Sequence, residues 1–142
     1  MTTTIYTLTS PQIKELHDLY QHEWWTKERS LEDTKKCVEN SQICIGITDE
    51  NNHLIGFVRV ITDYIFKAFI FDLIINPNHR NQGLGKRLMT EVLHHKKLAD
   101  VKHFELYCLP EMKNWYQPFG FNCHTDGVQL LRRNKSALLL NI

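Results

Sequence analysis

Arg80, Gly83 and Gly85 stand in an Arg-x-x-Gly-x-Gly spacing, and Lys86 follows at once. Glycines so spaced let backbone N–H groups approach an anion closely, and flanking cations add charge, so the chemistry on offer is phosphate binding. Of two other phosphate motifs, one fails here and the other is weak. A P-loop needs a glycine five residues before its Gly-Lys pair and Ser or Thr after it, and Arg80 and Arg87 occupy those places. A dinucleotide fingerprint needs Gly or Ala where Leu88 stands, and no acidic residue closes a following strand at the required distance. Two further residues could do chemistry. Asp72 interrupts an apolar run, where an unpaired carboxylate is costly. Tyr116 carries a phenol that stays protonated at neutral pH and can donate its proton to a departing group. The histidines form no H-E-x-x-H or similar ligand set, so no metal site is read.

These residues need elements to hold them. Residues 69–75 read FIFDLII, aromatic and β-branched, the composition of a buried strand. Asn76-Pro77-Asn78 ends it, since proline cannot donate to a ladder and disfavours helix just before it. Leu84, Leu88 and Val92 then recur at helical spacing. A strand therefore feeds a glycine-containing turn that opens a helix, whose first N–H groups point back at the strand's end as an anion site.

Ahead of that unit, residues 5–8 read as a short strand, and Ser10-Pro11 as a helix start with Ser10 as the cap. Ile13, Leu16, Leu19 and Tyr20 share one face and carry this helix to about His22. Trp24-Trp25 lies beyond its end, as core or as the wall of a pocket. Ser30 to Asp33 resembles a capping box for a helix over 31–39. Residues 42–48 and 54–61 form a hairpin about a polar turn, and a second turn over 62–67 leads to the central strand. Beyond the glycine-led helix, residues 101–109 read as a strand parallel to the central one by a right-handed crossover. A short helix over 111–117 stops at Pro118, and residues 127–133 and 137–141 read as closing strands. The order is that of an α+β protein with helices on a mixed sheet.

The length of 142 residues argues one domain spanning 1–142. Hydrophobic content of 42% and charged content of 23% are those of a soluble globular protein. A formal charge of +1 offers no argument for nucleic acid or a membrane surface as partner. No apolar run suits a spanning helix and no signal peptide is read, so a cytoplasmic setting is expected, with Cys37, Cys44, Cys108 and Cys123 as reduced core thiols.

Two motifs in this order resemble the GCN5-related N-acetyltransferases, and the likeness covers nearly the whole chain. The first is residues 72–85, DLIINPNHRNQGLG, similar to that family's acyl-CoA pyrophosphate loop. The second is residues 115–121, WYQPFGF, similar to its aromatic-Tyr-x-x-x-Gly-Phe element. Residues 26–31 with 56–63 are also similar to one small single-domain bacterial subgroup. Asn81 stands where many members have glycine, and an Asn can adopt a left-handed backbone. The asparagine that many members place upstream of the tyrosine is absent here.

The resemblance implies a mostly antiparallel mixed sheet of about six or seven strands. It also implies helices on both faces and a central parallel pair that splays. It implies acetyl-CoA as donor, its pyrophosphate on Arg80, Asn81, Gln82, Gly83, Leu84, Gly85 and Lys86, and its pantetheine paired with the strand at Leu73, Ile74 and Ile75. Tyr116 would protonate the leaving thiolate. Asp72 would either take the amine's proton through a water or hold Arg59 or another cation of the sheet. Trp25, Arg29, Arg59 and Asp63 are the acceptor-side candidates. The activity implied is acetyl transfer to a primary amine of a small molecule by direct attack in a ternary complex, since no cysteine is placed as an acyl carrier. Acetylation of protein lysines or N-termini, and a non-catalytic acyl-CoA-binding module, are the alternatives. A monomer and a homodimer are equally compatible with the sequence.

Overall fold

The computed structural model describes residues 1–135. The chain forms two compact units, Met1–Tyr107 and the residues from Cys108 onward. The first holds β1 (Thr3–Ile5), α1 (Ser10–Gln21), α2 (Leu31–Glu39), β2 (Ile43–Thr48), β3 (Leu54–Thr62), β4 (Lys67–Ile75), α3 (Leu84–Leu93) and β5 (His103–Glu105). The strands lie in the order β1-β2-β3-β4-β5, antiparallel throughout except for the parallel β4–β5 pair.

Local chemistry accounts for the helix ends. α1 is capped by Thr9 and not by Ser10. The Thr9 hydroxyl accepts from the Gln12 N–H, and Gln12 Oε1 accepts from the Thr9 N–H in return. Ser30 and Asp33 make the same reciprocal box for α2. The helices cover both faces. Phe57 of β3 and Ile74 of β4 are buried in one cluster with Leu16, Leu19 and Tyr20 of α1. On the opposite face, a Cβ at Gly56 would lie 3.0 Å from Ile75 Cδ1 and 3.4 Å from Leu88 Cδ1, so α3 packs close against the sheet there. Leu88, Met89 and Val92 of α3 are fully buried, and Arg87 ties the helix to β1 through the hydroxyls of Thr2 and Thr4.

Two features of β4 matter for the site. The first is a bulge. Phe57 opposes Ile74 and Arg59 opposes Phe71, so the single residue Val58 faces both Asp72 and Leu73. Asp72 takes φ 58°, a left-handed conformation that an aspartate tolerates at modest cost. The second is a short pairing. β5 meets β4 only at Lys67, Ala68 and Phe69, so residues 70–75 run on with no strand on that side among the described residues.

The second unit contains one turn of helix, α4 (Lys113–Tyr116), flanked by 3-10 turns over Pro110–Met112 and Gln117–Phe119. This replaces the single helix expected over 111–117. Several expected strands are shorter. The first ends at Ile5 where residues 5–8 were anticipated, and residues 101–109 contribute only His103–Glu105. Residues 127–133 form no strand; Val128, Leu130 and Leu131 are exposed, so their β-propensity meets no packing to reward it. The expected strand over 137–141 lies outside the described residues. The sheet therefore has five strands among the described residues, against the six or seven anticipated. No helix among the described residues is long and apolar enough to cross a membrane.

Candidate active site

β4 ends at Ile75 and the chain turns through Pro77–His79 into the anion loop. Asn81 adopts φ 63° and Gly83, the N-cap residue of α3, φ 76°. Nothing caps this helix from a side chain, and its first backbone bond is Arg87 N–H to the Gly83 carbonyl. The N–H groups of Leu84, Gly85 and Lys86 thus lack protein acceptors among the described residues and carry the positive end of the helix dipole. A Cβ built on Gly83 meets nothing within 4 Å, so the space beside this N-cap residue is open. Gln82 and Lys86 are exposed beside it.

Arg80 sits differently from the expected free cation. Its guanidinium is paired with the Glu23 carboxylate, and its Nε donates to the Ile75 carbonyl at 3.4 Å. Glu23 follows α1 directly and precedes Trp24 and Trp25, so this ion pair joins the α1–α2 segment to the anion loop. Both tryptophans are exposed, Trp24 by 72% and Trp25 by 41%, which excludes the core alternative for them. The buried residue of the segment is Thr26, whose hydroxyl donates to the Tyr20 carbonyl at 2.8 Å.

At the bulge, Asp72 is the hub of a buried network. Arg29 Nη1 and Nη2 donate to its two oxygens at 2.6 and 3.0 Å, Arg59 Nε at 2.6 Å and the Tyr20 hydroxyl at 2.9 Å. The Arg29 guanidinium lies 4.6 Å from the Tyr20 ring centre, and that of Arg59 lies 4.9 Å from the Phe71 ring centre. Burial alone would raise the Asp72 carboxyl, but the hydrogen bonds and charges of the two guanidiniums outweigh it and hold the group below the usual carboxylate range. Burial, together with the charge on Asp72, pushes the Tyr20 phenol up, so it serves as a neutral donor. Strict strand alternation would set Asp72 and Phe71 on opposite faces. The bulge instead brings both to Arg59.

Of the acceptor-side candidates, Arg29 and Arg59 are brought together, while Asp63 is not part of their network. Its Oδ1 accepts from the N–H groups of Ile65, Phe66 and Lys67 and so closes the turn between β3 and β4. Tyr20 and Glu23 were missed from sequence. A tyrosine on the buried face of α1 needs a partner for its hydroxyl, and Asp72 needs donors, which is the one signal that pointed to their pairing.

In the second unit Tyr116 lies edge-on to Trp115 at 4.9 Å and to Phe121 at 6.1 Å. Its hydroxyl has no protein hydrogen bond among the described residues, and burial raises its pKa, so it is protonated at neutral pH. Cys108 and Cys123 are exposed rather than core thiols, and all four cysteines are free.

β4 pairs with β5 only over Lys67–Phe69, and α3 begins without a side-chain cap at the end of the turn that follows β4. The acetyltransferase (GNAT) family model matches residues 10–121, and the chain belongs to that family. It is 32% identical over 120 residues to the uncharacterized N-acetyltransferase ycf52 of Gracilaria tenuistipitata var. liui, covering 82% of this chain and 65% of that protein. A ycf52-like protein of Prochlorococcus marinus is 31% identical over 86% of this chain and 72% of its own length. The chain thus spans about two thirds of these curated relatives. A crystal structure assigned to the GNAT family, from Xanthomonas campestris pv. campestris, superposes with a TM-score of 0.83 at 25% identity over 94% of this chain and 93% of that one.

Proposed function

We propose that this protein is an acetyl-CoA-dependent N-acetyltransferase that moves an acetyl group to the primary amine of a small molecule. The observation that carries the reading is the uncapped N-terminus of α3 under the open space at Gly83, continuous with the unpaired edge of β4. The residues present suit the donor. Backbone N–H groups of residues 82–86 would take the pyrophosphate, with Arg80 and Lys86 adding charge, and backbone groups at Leu73, Ile74 and Ile75 would pair with pantetheine amides. When bound, acetyl-CoA supplies an activated thioester.

The chain's own part is positioning and proton handling. With the donor bound, a neutral amine would attack the acetyl carbonyl carbon, forming the C–N bond as the C–S bond breaks. The amine's proton would leave to solvent, and Tyr116 would give its phenolic proton to the departing thiolate and regain one from solvent. Asp72 is assigned here as a positioning residue: a carboxylate already held by four donors within 3.0 Å and below the usual carboxylate range is a poor proton acceptor. It orients Arg29 and Arg59, which with Trp25 would form the acceptor side. Asp63 would contribute by holding the neighbouring turn. The cytoplasm, where free thiols persist, is the expected setting. A screen of amines against acetyl-CoA, reading free thiol release, tests the activity. Turnover with a small amine whose kcat/KM for acetyl-CoA falls about tenfold or more in Gly83→Ala supports the reading. Acetyl-CoA binding without transfer to any amine would favour a non-catalytic acyl-CoA-binding module.

A further inference from the structure

We infer that the acceptor amine carries an oxyanion, a carboxylate or a phosphate, which seats on the N–H groups of Arg29 and Arg59 that Asp72 does not take. This rests on the acetyl-transfer reading and names its substrate class.

The first observation is charge. Two guanidiniums converge on one carboxylate, and the fourth member, the Tyr20 hydroxyl, donates a hydrogen bond and adds no charge, so among the described residues the network carries one surplus positive charge. Asp33, which also lies within reach of Arg29's field, is spent on the N-cap of α2 through Ser30. The surplus sits where water is scarce: the side chains of Arg29 and Arg59 are 25% and 11% exposed. An unmatched charge in such a place is costly, and an arriving anion relieves the cost.

The second observation is donor geometry. Each guanidinium has five N–H donors. Arg29 uses Nη1 and Nη2 on Asp72, while Arg59 uses Nε there and Nη1 on the Ser41 hydroxyl at 3.4 Å. Arg59 Nη2 and Arg29 Nε have no acceptor among the described residues. Both guanidinium planes are already fixed by Asp72 and by the rings of Tyr20 and Phe71. A ligand oxyanion would therefore find oriented donors with little side-chain ordering left to do.

The third observation is place. The network surrounds residue 72, next to the β4 edge at 73–75 where the donor's arm is proposed to pair. An amine bound there would lie beside the edge proposed to hold the donor's arm. The surplus charge also disfavours an ammonium beside it and so favours the neutral, nucleophilic amine. By the same charge, polyamines and lysine-rich peptides are poor acceptors for this site.

The test uses matched probes with the full chain: L-phenylalanine against L-phenylalaninamide, glycine against glycinamide, and glucosamine 6-phosphate against glucosamine, with spermidine as a cationic control. Both kcat/KM with acetyl-CoA and calorimetric binding in the presence of CoA are read. At least one anionic member should exceed its neutral partner by about tenfold or more in both measures. That preference should fall to within about twofold in Arg59→Met and persist in part in Arg59→Lys, which retains the charge. Equal use of both members of every pair, or preference for the amides or spermidine, overturns the inference. So does a protein that binds CoA but binds no acid more tightly than its neutral partner. Absence of CoA binding itself would instead overturn the donor reading. The wild-type pairs decide the matter even where Arg59→Met fails to fold.

Discussion

Arg29 and Asp72, 43 residues apart in sequence, meet in a two-pronged ion pair with N–O distances of 2.6 and 3.0 Å. Because Asp72 lies at the β4 bulge and Arg29 just before α2, this contact fixes the end of the α1–α2 segment to the sheet. Glu23 and Arg80 fix its beginning to the anion loop. The exposed tryptophans are carried between these two ties.

Asp72→Asn should destabilise the fold by about 3 kcal/mol, because it leaves two largely buried guanidiniums without their counter-ion. Asparagine tolerates the left-handed backbone at least as well as aspartate, so the loss belongs to the charge. A fall in Tm of about 10 °C is expected by calorimetry. The Asp72 carboxyl is held below its unfolded value. Its stabilisation is therefore complete above the unfolded pKa, near 4, and fades as pH falls toward the folded one. The variant should lack that part of the acid sensitivity. An unchanged Tm would refute the hub role.

Gly83→Ala tests the donor site. The protein should still fold, losing about 1 kcal/mol for a Cβ residue at φ 76°, since the added methyl meets no protein atom. If the proposed phosphate seat lies beside Gly83, the methyl crowds it, and CoA affinity should drop about tenfold or more by calorimetry. Wild-type affinity in the folded variant would exclude this loop.

Glu23→Gln should tighten CoA binding a few-fold, because the carboxylate now holding Arg80 competes with the phosphates for it. The pair is partly exposed, so stability should change by no more than about 0.5 kcal/mol. A CoA affinity that stays the same would show that Arg80 serves the α1–α2 segment alone.

Tyr116→Phe keeps the ring packed on Trp115 and Phe121 and removes only the hydroxyl. We expect kcat to fall about 10²-fold, with CoA affinity and Tm nearly unchanged. Burial raises the phenol, so the protonated acid persists to high pH and wild-type activity should show no alkaline fall from this group below about pH 10. Equal kcat in the variant, with chemistry rate-limiting, would demote Tyr116 to packing.

What the sequence determined by itself is whatever depends on near neighbours. Asn76-Pro77 stops β4, Gly83 supplies a positive φ, and Leu84, Leu88 and Val92 set a helix behind it, so the anion loop is written in adjacent residues. The hairpins of β2, β3 and β4 and the cap of α2 follow from turn and capping chemistry of the same range. The tertiary structure decided what depends on partners. Period-two alternation places Asp72 opposite Phe71, and no local residue marks the bulge, since an aspartate can take the left-handed backbone without a glycine to announce it. Arg29 and Tyr20 reach Asp72 from 43 and 52 positions away, and Glu23 reaches Arg80 from 57. Asp63, with the same carboxylate, is spent on three nearby N–H groups, while residues 127–133 have strand propensity but no buried face to hold them. Charge and propensity are properties of a residue; which charge is matched and which strand is paired are settled only when distant segments are packed together.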